Sequence, residues 1–337
     1  MAVRIALDAA GGDFAPREAI LGAREVLREG LVEVILVGPP DSIQPHLDEL
    51  SLPPGHWRLE PAKEVVGMDE AASLSLRKKE SSIQVGLQLV AGGMADAFLS
   101  GGNTGAVMAA ALLILGRLNG VKRPPLAATL PGRQGPVFLV DAGANVDCSA
   151  EQLVQFAILA ERFVALDRGM ERPRVALLSN GEEPHKGSEA VKRAHQELLA
   201  SHLNFIGNIE GRDILNSLAE VVVADGFVGN VVLKAMEGAV DVIFQTLKDE
   251  IGDSPRAKAG ALLLKPVFRS VKEKMGYSRI GAAPLLGLNG LAFVGHGRSK
   301  AAAFANGIRH AKRAYDNQIV QAMRESLAQH MVERSGT

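Results

Sequence analysis

Short apolar runs recur along this chain, each stopping at a polar or Gly-rich turn with an amphipathic stretch beyond it. Residues 3–7 form the first run, ending at Asp8; strands buried on both faces of a parallel sheet look like this. Residues 9–13 are its turn. Pro16 suits a first helical turn and Gly30 the position past the helix end, with Ile20, Ala23 and Leu27 at helical spacing between them. The run 34–37 predicts the next strand, stopped by Gly38, Pro39 and Pro40, then a short helix through Leu50 and a short strand near 57–59. Residues 70–92 read as helix, broken at Ser81-Ser82, with Ile83, Leu87 and Val90 on one face.

Residues 97–99 predict a buried strand and 107–115 a buried helix. Strands follow at 126–130 and 137–140, the second ending in Asp141, then a polar turn at 142–147. A helix at 151–165 turns Leu153, Phe156, Ala160 and Val164 inward. The strand 174–178 leads into a turn at 179–187, a helix to Leu199 and a strand near 203–206. The strand 221–223 ends at Asp225 and 226–230 is its turn. The long helix beyond is expected to bury Val232, Met236, Val240, Ile243 and Leu247. A strand at 288–294, a turn at His296-Gly297 and a closing helix at 299–329 complete the pattern. Six strand–turn–helix units predict an α/β fold with a mostly parallel sheet. Ligands of such sheets bind beyond the carboxyl ends of the strands, so Asp8, Ser100, Asp141, Asn180 and Asp225 are expected to converge on one crevice.

The turn Ser100-Gly-Gly-Asn-Thr-Gly-Ala106 has the makings of an anion cradle. Its glycines let the backbone approach a ligand, Asn103 or Thr104 can cap the helix, and a helix N-terminus favours an anion. An ordinary capped turn has the same residues. Lys186, before Gly187, can set a compact charge on a phosphate or be a solvated surface lysine. Asn230 either caps its helix or offers an amide to an oxyanion. Asp225 either orients Lys186 or fixes its own turn, and Asp8 and Asp141 stand open to the same alternative. His185 and His296 either act as acid–bases or only satisfy their turns, and the turn role is the commoner one for such a histidine. Cys148 reads as a small buried thiol rather than a nucleophile. The aspartates form no spaced ligand motif, so no metal is expected. Gly-x-Ser-x-Gly and P-loop patterns are absent, which weakens hydrolase and NTPase readings.

Residues 255–277 differ from the rest. Leu262, Leu263, Leu264, Val267 and Phe268 interleave with Arg256, Lys258, Lys265 and Arg269, interrupted by Pro266. This predicts either an amphipathic pair on an anionic membrane or a helix packed on the body or a second subunit. The 337-residue chain is 47% hydrophobic and 22% charged, with net charge −1, a soluble globular composition. Balanced charge and 4% aromatic content argue against nucleic acid as a partner. One cysteine excludes an internal disulfide framework. No signal segment or membrane span is expected.

Taken in order, Leu7-Asp-Ala-Ala-Gly-Gly-Asp13, the Ser100 turn, Asp141-Ala-Gly-Ala-Asn-Val-Asp-Cys148, Gly181-Glu-Glu183 with Lys186-Gly187, Asp225-Gly-Phe-Val-Gly-Asn-Val-Val-Leu-Lys234 and His296-Gly297 resemble the PlsX-type acyl-acyl-carrier-protein:phosphate acyltransferases over nearly the whole chain. Ala10 departs from the family's usual Met, and Pro184-His185 is an unusual lead into Lys186. The resemblance implies a Rossmann-like α/β/α sandwich, similar to isopropylmalate dehydrogenase and phosphotransacetylase, in one domain with a protruding segment at about 255–277. It implies transfer of a long acyl group from acyl carrier protein to inorganic phosphate, without a cofactor. It also implies a homodimer in the cytoplasm, peripherally bound to the membrane, whose acyl phosphate feeds glycerol-3-phosphate acyltransferase and phospholipid synthesis.

By this resemblance Lys186 and Asn230 are the catalytic candidates, and Asp225 joins them as the strand-end carboxylate able to orient Lys186. Asp8, Gly11, Gly12, Ser100, Gly101, Asn103, Thr104, Gly105, Asn145, His185, Gly229 and His296 are the candidates for phosphate and substrate. Arg77, Lys78, Lys79, Arg256 and Lys258 are candidate docking charges for the acidic carrier protein, and Leu262, Leu263, Leu264, Val267 and Phe268 candidate membrane contacts. The alternatives are a phosphotransacetylase-like enzyme using acyl-coenzyme A and a non-catalytic membrane-associated scaffold.

Overall fold

A computed structural model of the chain describes residues 2–252, 254–275 and 281–335. The first part runs β1 (Val3–Asp8), α1 (Arg17–Leu27), β2 (Val32–Gly38), α2 (Pro40–Leu50), β3 (Trp57–Pro61), α3 (Ala72–Ser75), α4 (Ser82–Ala91), β4 (Ala97–Ser100) and α5 (Thr104–Ile114). Then come β5 (Ala127–Leu130), β6 (Val137–Val140), α6 (Ala150–Arg168), β7 (Val175–Leu178), α7 (Glu189–Leu199), β8 (Phe205–Ile209), α8 (Gly211–Leu215) and β9 (Val221–Val223). The chain closes with α9 (Gly226–Gly252), α10 (Pro255–Met275), β10 (Ala283–Pro284), β11 (Leu291–Val294), α11 (Ala301–Asp316) and α12 (Ile319–Ser335).

The strands make two sheets, ordered β10-β11-β4-β1-β2-β3 and β5-β6-β9-β7-β8. All pairs are parallel except β10 with β11 and β5 with β6. The helical crossovers require this: a parallel pair cannot be closed by a tight turn. One core joins the sheets. Ile5, Leu7, Leu36, Leu99 and Phe293 of the first pack in the same cluster as Phe138, Val140, Val175 and Val221 of the second and Leu153, Phe156 and Phe163 of α6. The rings of Phe138 and Phe163 stack at 5.0 Å. The opposite face of the first sheet is covered by Ile83, Leu87, Val107 and Ala110 of α4 and α5.

Several boundaries differ from the predicted ones. The helix expected at 70–92 is two, α3 and α4, with Arg77, Lys78 and Lys79 in the turn between; Ser81 caps the second by accepting from Gln84 N. The long helix starts at Gly226, so 226–230 is its first turn rather than a loop. Of its expected inward residues, Val232 and Met236 pack partly buried against the core of the second sheet, but Ile243 is 58% exposed and Leu247 40%, because α9 runs on past that sheet and packs there along α10. The segment 255–275 is one helix with Pro266 inside it, not a pair; Gly276 and Tyr277, its predicted end, lie outside the described residues. The closing helix divides at Gln318 (φ 51°) into α11 and α12.

The fold leaves no room at Gly22, where α1 crosses α11. A Cβ there would stand 2.5 Å from Phe304 Cβ and 2.7 Å from the Ala301 carbonyl oxygen. Gly22→Val is expected to cost about 2 kcal/mol of stability, in the range for overpacking, read as a lowered urea midpoint; an unchanged midpoint would contradict this contact.

Candidate active site

Two rows of turns face one another. β1, β4 and β11 are neighbours in the first sheet, so the turns that follow them lie side by side. Asp13 N donates to Gly297 O at 2.8 Å and Gly295 N to Ser100 O at 2.7 Å. A Cβ on Gly12 (φ +108°) would come within 3.2 Å of the carbonyl oxygens of both Gly101 and Gly297. Only glycine combines that φ with that closeness.

Asp8 and Ser100 are fully buried behind this row. Ser100 Oγ donates to Asp8 Oδ2 at 2.6 Å, Ala10 N to Asp8 Oδ1 at 3.1 Å, and Gly102 N to Ser100 Oγ at 3.0 Å. Burial pushes the Asp8 carboxyl above the ordinary range, while its hydrogen bonds from Ser100, Ser82, Ala10 and Gly11 act in the opposite sense. The pair shapes the turn from beneath. Asn103 is the α5 cap: its Oδ1 accepts from Ala106 N at 3.0 Å, and its Nδ2 donates to Met68 O and Glu70 O, both at 2.8 Å. Thr104 and Gly105 are left facing the crevice.

In the second sheet β6, β9 and β7 are neighbours, which aligns the turns after Asp141's, Asp225's and Lys186's strands along one edge. Asp141 is fully buried and accepts from the backbone N–H groups of Leu126, Gly143, Ala144 and Asn145 and from Asn145 Nδ2. Burial raises its carboxyl; the donors of the turn lower it. The Asn145 amide is engaged twice, to Asp141 Oδ2 at 2.7 Å and Pro124 O at 3.1 Å. Asp225 accepts from Phe227 N at 2.8 Å and Cys148 N at 2.7 Å, so it caps α9 and ties that helix to the preceding turn. Burial pushes the Cys148 thiol up to about 12, which keeps it neutral and poorly nucleophilic.

The first turn of α9 lies directly on the 141–145 turn. A Cβ at Gly226 would stand 2.2 Å from Asn145 O, and one at Gly229 1.9 Å from Asp141 O. Gly229 is therefore packed against backbone, and the next residue, Asn230, stands beside Gly143. Asn230 is the fifth residue of α9, inside the helix rather than at its cap.

Between the rows is a crevice of about 630 Å³. Of the predicted residues it brings together Thr104, Gly105, Asn230 and His296. His296 Nδ1 accepts from Arg298 N at 3.1 Å. Lys186 and His185 sit on the loop after β7, at the same sheet edge but not among the crevice-lining residues. That loop is braced by Gly187 N donating to Asn180 Oδ1 at 2.8 Å, and the Lys186 stem covers Gly181. Asp13, Lys234, Glu237 and Arg298 also line the crevice and were missed as site residues. Asn230, Leu233, Lys234 and Glu237 form an i, i+3, i+4, i+7 stripe, visible in the sequence once α9 is started at Gly226. Lys234 Nζ pairs with Glu237 at 2.8 Å.

The expected docking charges lie apart from this centre. Lys78 pairs with Glu70 at 2.6 Å, while Arg77, Lys79, Arg256 and Lys258 are exposed. On α10, Leu262 is 71% and Leu263 82% exposed, with Leu264 and Val267 also open to solvent and Phe268 half-buried. No described helix is long and apolar enough to cross a membrane.

The fold is mostly parallel α/β, with the architecture of the phosphotransacetylases. The structure matches a phosphotransacetylase from Streptococcus pyogenes with a TM-score of 0.62 at 18% identity, covering 94% of each chain. It matches a putative 4-hydroxythreonine-4-phosphate dehydrogenase from Salmonella typhimurium with a TM-score of 0.55 at 13% identity, over 93% of this chain and 98% of the other. A family model described as fatty acid synthesis protein matches residues 3–322. The phosphate acyltransferase of Thermodesulfovibrio yellowstonii is 46% identical over 327 residues, 97% of this chain and 95% of its own. That of Carboxydothermus hydrogenoformans is 45% identical over 305 residues, 90% and 92%. The chain belongs to the fatty acid synthesis protein family, and it is an acyltransferase.

Because burial raises the Asp8 carboxyl, folding favours its protonated form. That contribution is complete below the unfolded value of about 3.9 and is lost as pH rises through the folded value. Asp8→Asn retains an acceptor for Ala10 N and cannot titrate. Urea midpoints measured upward from about pH 4 should therefore fall for the wild type relative to Asp8→Asn. A difference independent of pH would contradict the assignment.

Proposed function

We propose that this chain transfers a long-chain fatty acyl group from acyl carrier protein to inorganic phosphate, producing acyl phosphate for phosphatidic acid synthesis. The observation that carries the reading is the crevice itself. The α5 N-terminus at Thr104-Gly105, the Asn230 amide and the cations Lys234 and Arg298 converge there, in a chain whose relatives are phosphate acyltransferases.

Phosphate is held by the backbone N–H groups of the Gly-rich turn and the α5 dipole, with Lys186 at the neighbouring sheet edge supplying a further charge. Its oxygen attacks the thioester carbonyl from about 3–3.5 Å. The C–O bond forms and the carbonyl oxygen becomes an oxyanion, stabilised by Asn230 and nearby backbone donors. Collapse breaks the C–S bond. The thiolate leaves unassisted, its conjugate thiol having a pKa near ~8.5, and takes its proton from solvent. Transfer is direct, which suits a crevice whose nearby cysteine is a buried neutral thiol.

The acidic carrier protein is steered by Arg77, Lys79, Arg256 and Lys258, charges that act mainly on encounter rate. The α9–α10 hairpin rests its exposed leucines on the cytoplasmic membrane surface, where the product is handed to a glycerol-3-phosphate acyltransferase; the working unit is a homodimer.

The test is phosphate-dependent release of carrier-protein thiol from palmitoyl-acyl carrier protein, with hydroxylamine trapping of acyl phosphate and palmitoyl-coenzyme A as a parallel donor. Release requiring phosphate and favouring the carrier-protein donor is expected. Asn230→Ala and Lys186→Ala should each lower turnover about 10²–10³-fold while remaining folded. Preference for coenzyme A would make the enzyme a soluble-donor phosphotransacylase, and phosphate-independent release a thioesterase.

A further inference from the structure

A second cavity of about 930 Å³ adjoins the crevice and shares Gly105 and Met108 with it. It follows α5. Gly105, Ala109 and Leu112 line it, spaced i, i+4, i+7 on one helical face, and Gly116 follows just past the helix end. Leu285 and Leu288 form the opposing side. α5 is apolar nearly all round, yet Leu112 and Leu113 are 44% and 67% exposed, an arrangement usual for a helix facing an apolar partner. At the end remote from the crevice two of the three lining cations are tied to the protein, Arg117 donating to Lys122 O and Lys122 pairing with Glu151, while Arg123 is exposed.

We propose that this groove is the binding site for the acyl chain of the donor, with the thioester carbonyl in the crevice and the methyl end toward Gly116. The inference rests on the acyl-transfer reading above. From Gly105 to the end of α5 at Ile114 the helix rises about 14 Å. A zigzag of ~1.5 Å single bonds advances about 1.25 Å per carbon, so the helical part of the groove spans about eleven carbons. The donor's other end, an arm bearing amides, fits this lining poorly. Asn145 is a polar side chain along the groove whose amide is already bonded to Asp141 and Pro124, and unpaired amides are costly in apolar surroundings.

Ala109→Phe, which fills the groove midway, tests the assignment; Leu112→Trp, at a half-exposed position, is the second variant. kcat/KM is measured with butyryl-, octanoyl-, lauroyl- and palmitoyl-acyl carrier protein. At least a tenfold loss with palmitoyl and less than a twofold change with butyryl are expected, moving the preference to shorter chains. Equal loss at every length would assign the groove to the carrier arm, and an unaltered profile would remove the chain from it. Binding of cis-parinaric acid, followed by its fluorescence without turnover, should weaken at least tenfold in the same variants. Undiminished binding overturns the groove even if the transfer reaction itself is disproved, and weakened binding sustains it in that case.

Discussion

The contact of the first turn of α9 with the turn after β6, backbone on backbone, sets the rest of the site. Two glycines one helical turn apart, Gly226 and Gly229, remove the side chains that would separate the two segments. Asp225 fixes the helix start by accepting from Phe227 and also reaches Cys148 in the facing turn. Asn230 then has little freedom of position. It projects from a helix whose axis is pinned one residue earlier, and Lys234 and Glu237 follow on the same stripe. An interaction of this kind is steric, backbone packed on backbone, so it positions the amide without relying on flexible surface contacts.

Buried carboxylates play the complementary part. Asp8 and Asp141 each sit at a strand end with no solvent exposure, gathering N–H donors from the turn that follows. The cost of desolvating them is visible as upward displacement of both carboxyls. It is offset by hydrogen bonds that hold Gly-rich backbone in one shape, which a short apolar side chain cannot do. Asn103 and Asn145 serve similarly, the first with its amide engaged by several backbone groups and the second bonded to Asp141 and the Pro124 carbonyl. The polar residues of these turns thus divide into those that build the walls and those that face the space between, and the two sets alternate along the chain.

That division explains how much was legible beforehand. Strand–turn–helix alternation was readable because buried parallel strands leave continuous apolar runs, and the family was readable from its ordered turns. The division of the strands into two sheets was not, since neighbouring strand order is set by tertiary packing. Gly226-Phe-Val-Gly229 looked like a loop because glycine is a turn signal, whereas here it permits close packing. Helical spacing predicted an inward face for α9, yet spacing cannot say where the sheet beneath a helix ends. Nor can residue type separate Asp8, which supports, from Asp13, which lines the crevice: both are aspartates flanking one Gly-containing turn. Lys186 follows β7 and Asn230 follows its neighbour β9, but order along a sheet edge does not determine whether a side chain enters a given crevice.

The measurement closest to the central claim is turnover of Gly229→Ala, followed beside its circular dichroism spectrum and thermal midpoint. A Cβ at this position would lie 1.9 Å from Asp141 O, so α9 must shift and carry Asn230 with it. A folded variant with phosphate-dependent acyl transfer reduced at least about a hundredfold, comparable to loss of an oxyanion donor, is the predicted result. A folded variant with wild-type turnover would contradict the account, for the site would then not depend on the contact between α9 and the turn after β6.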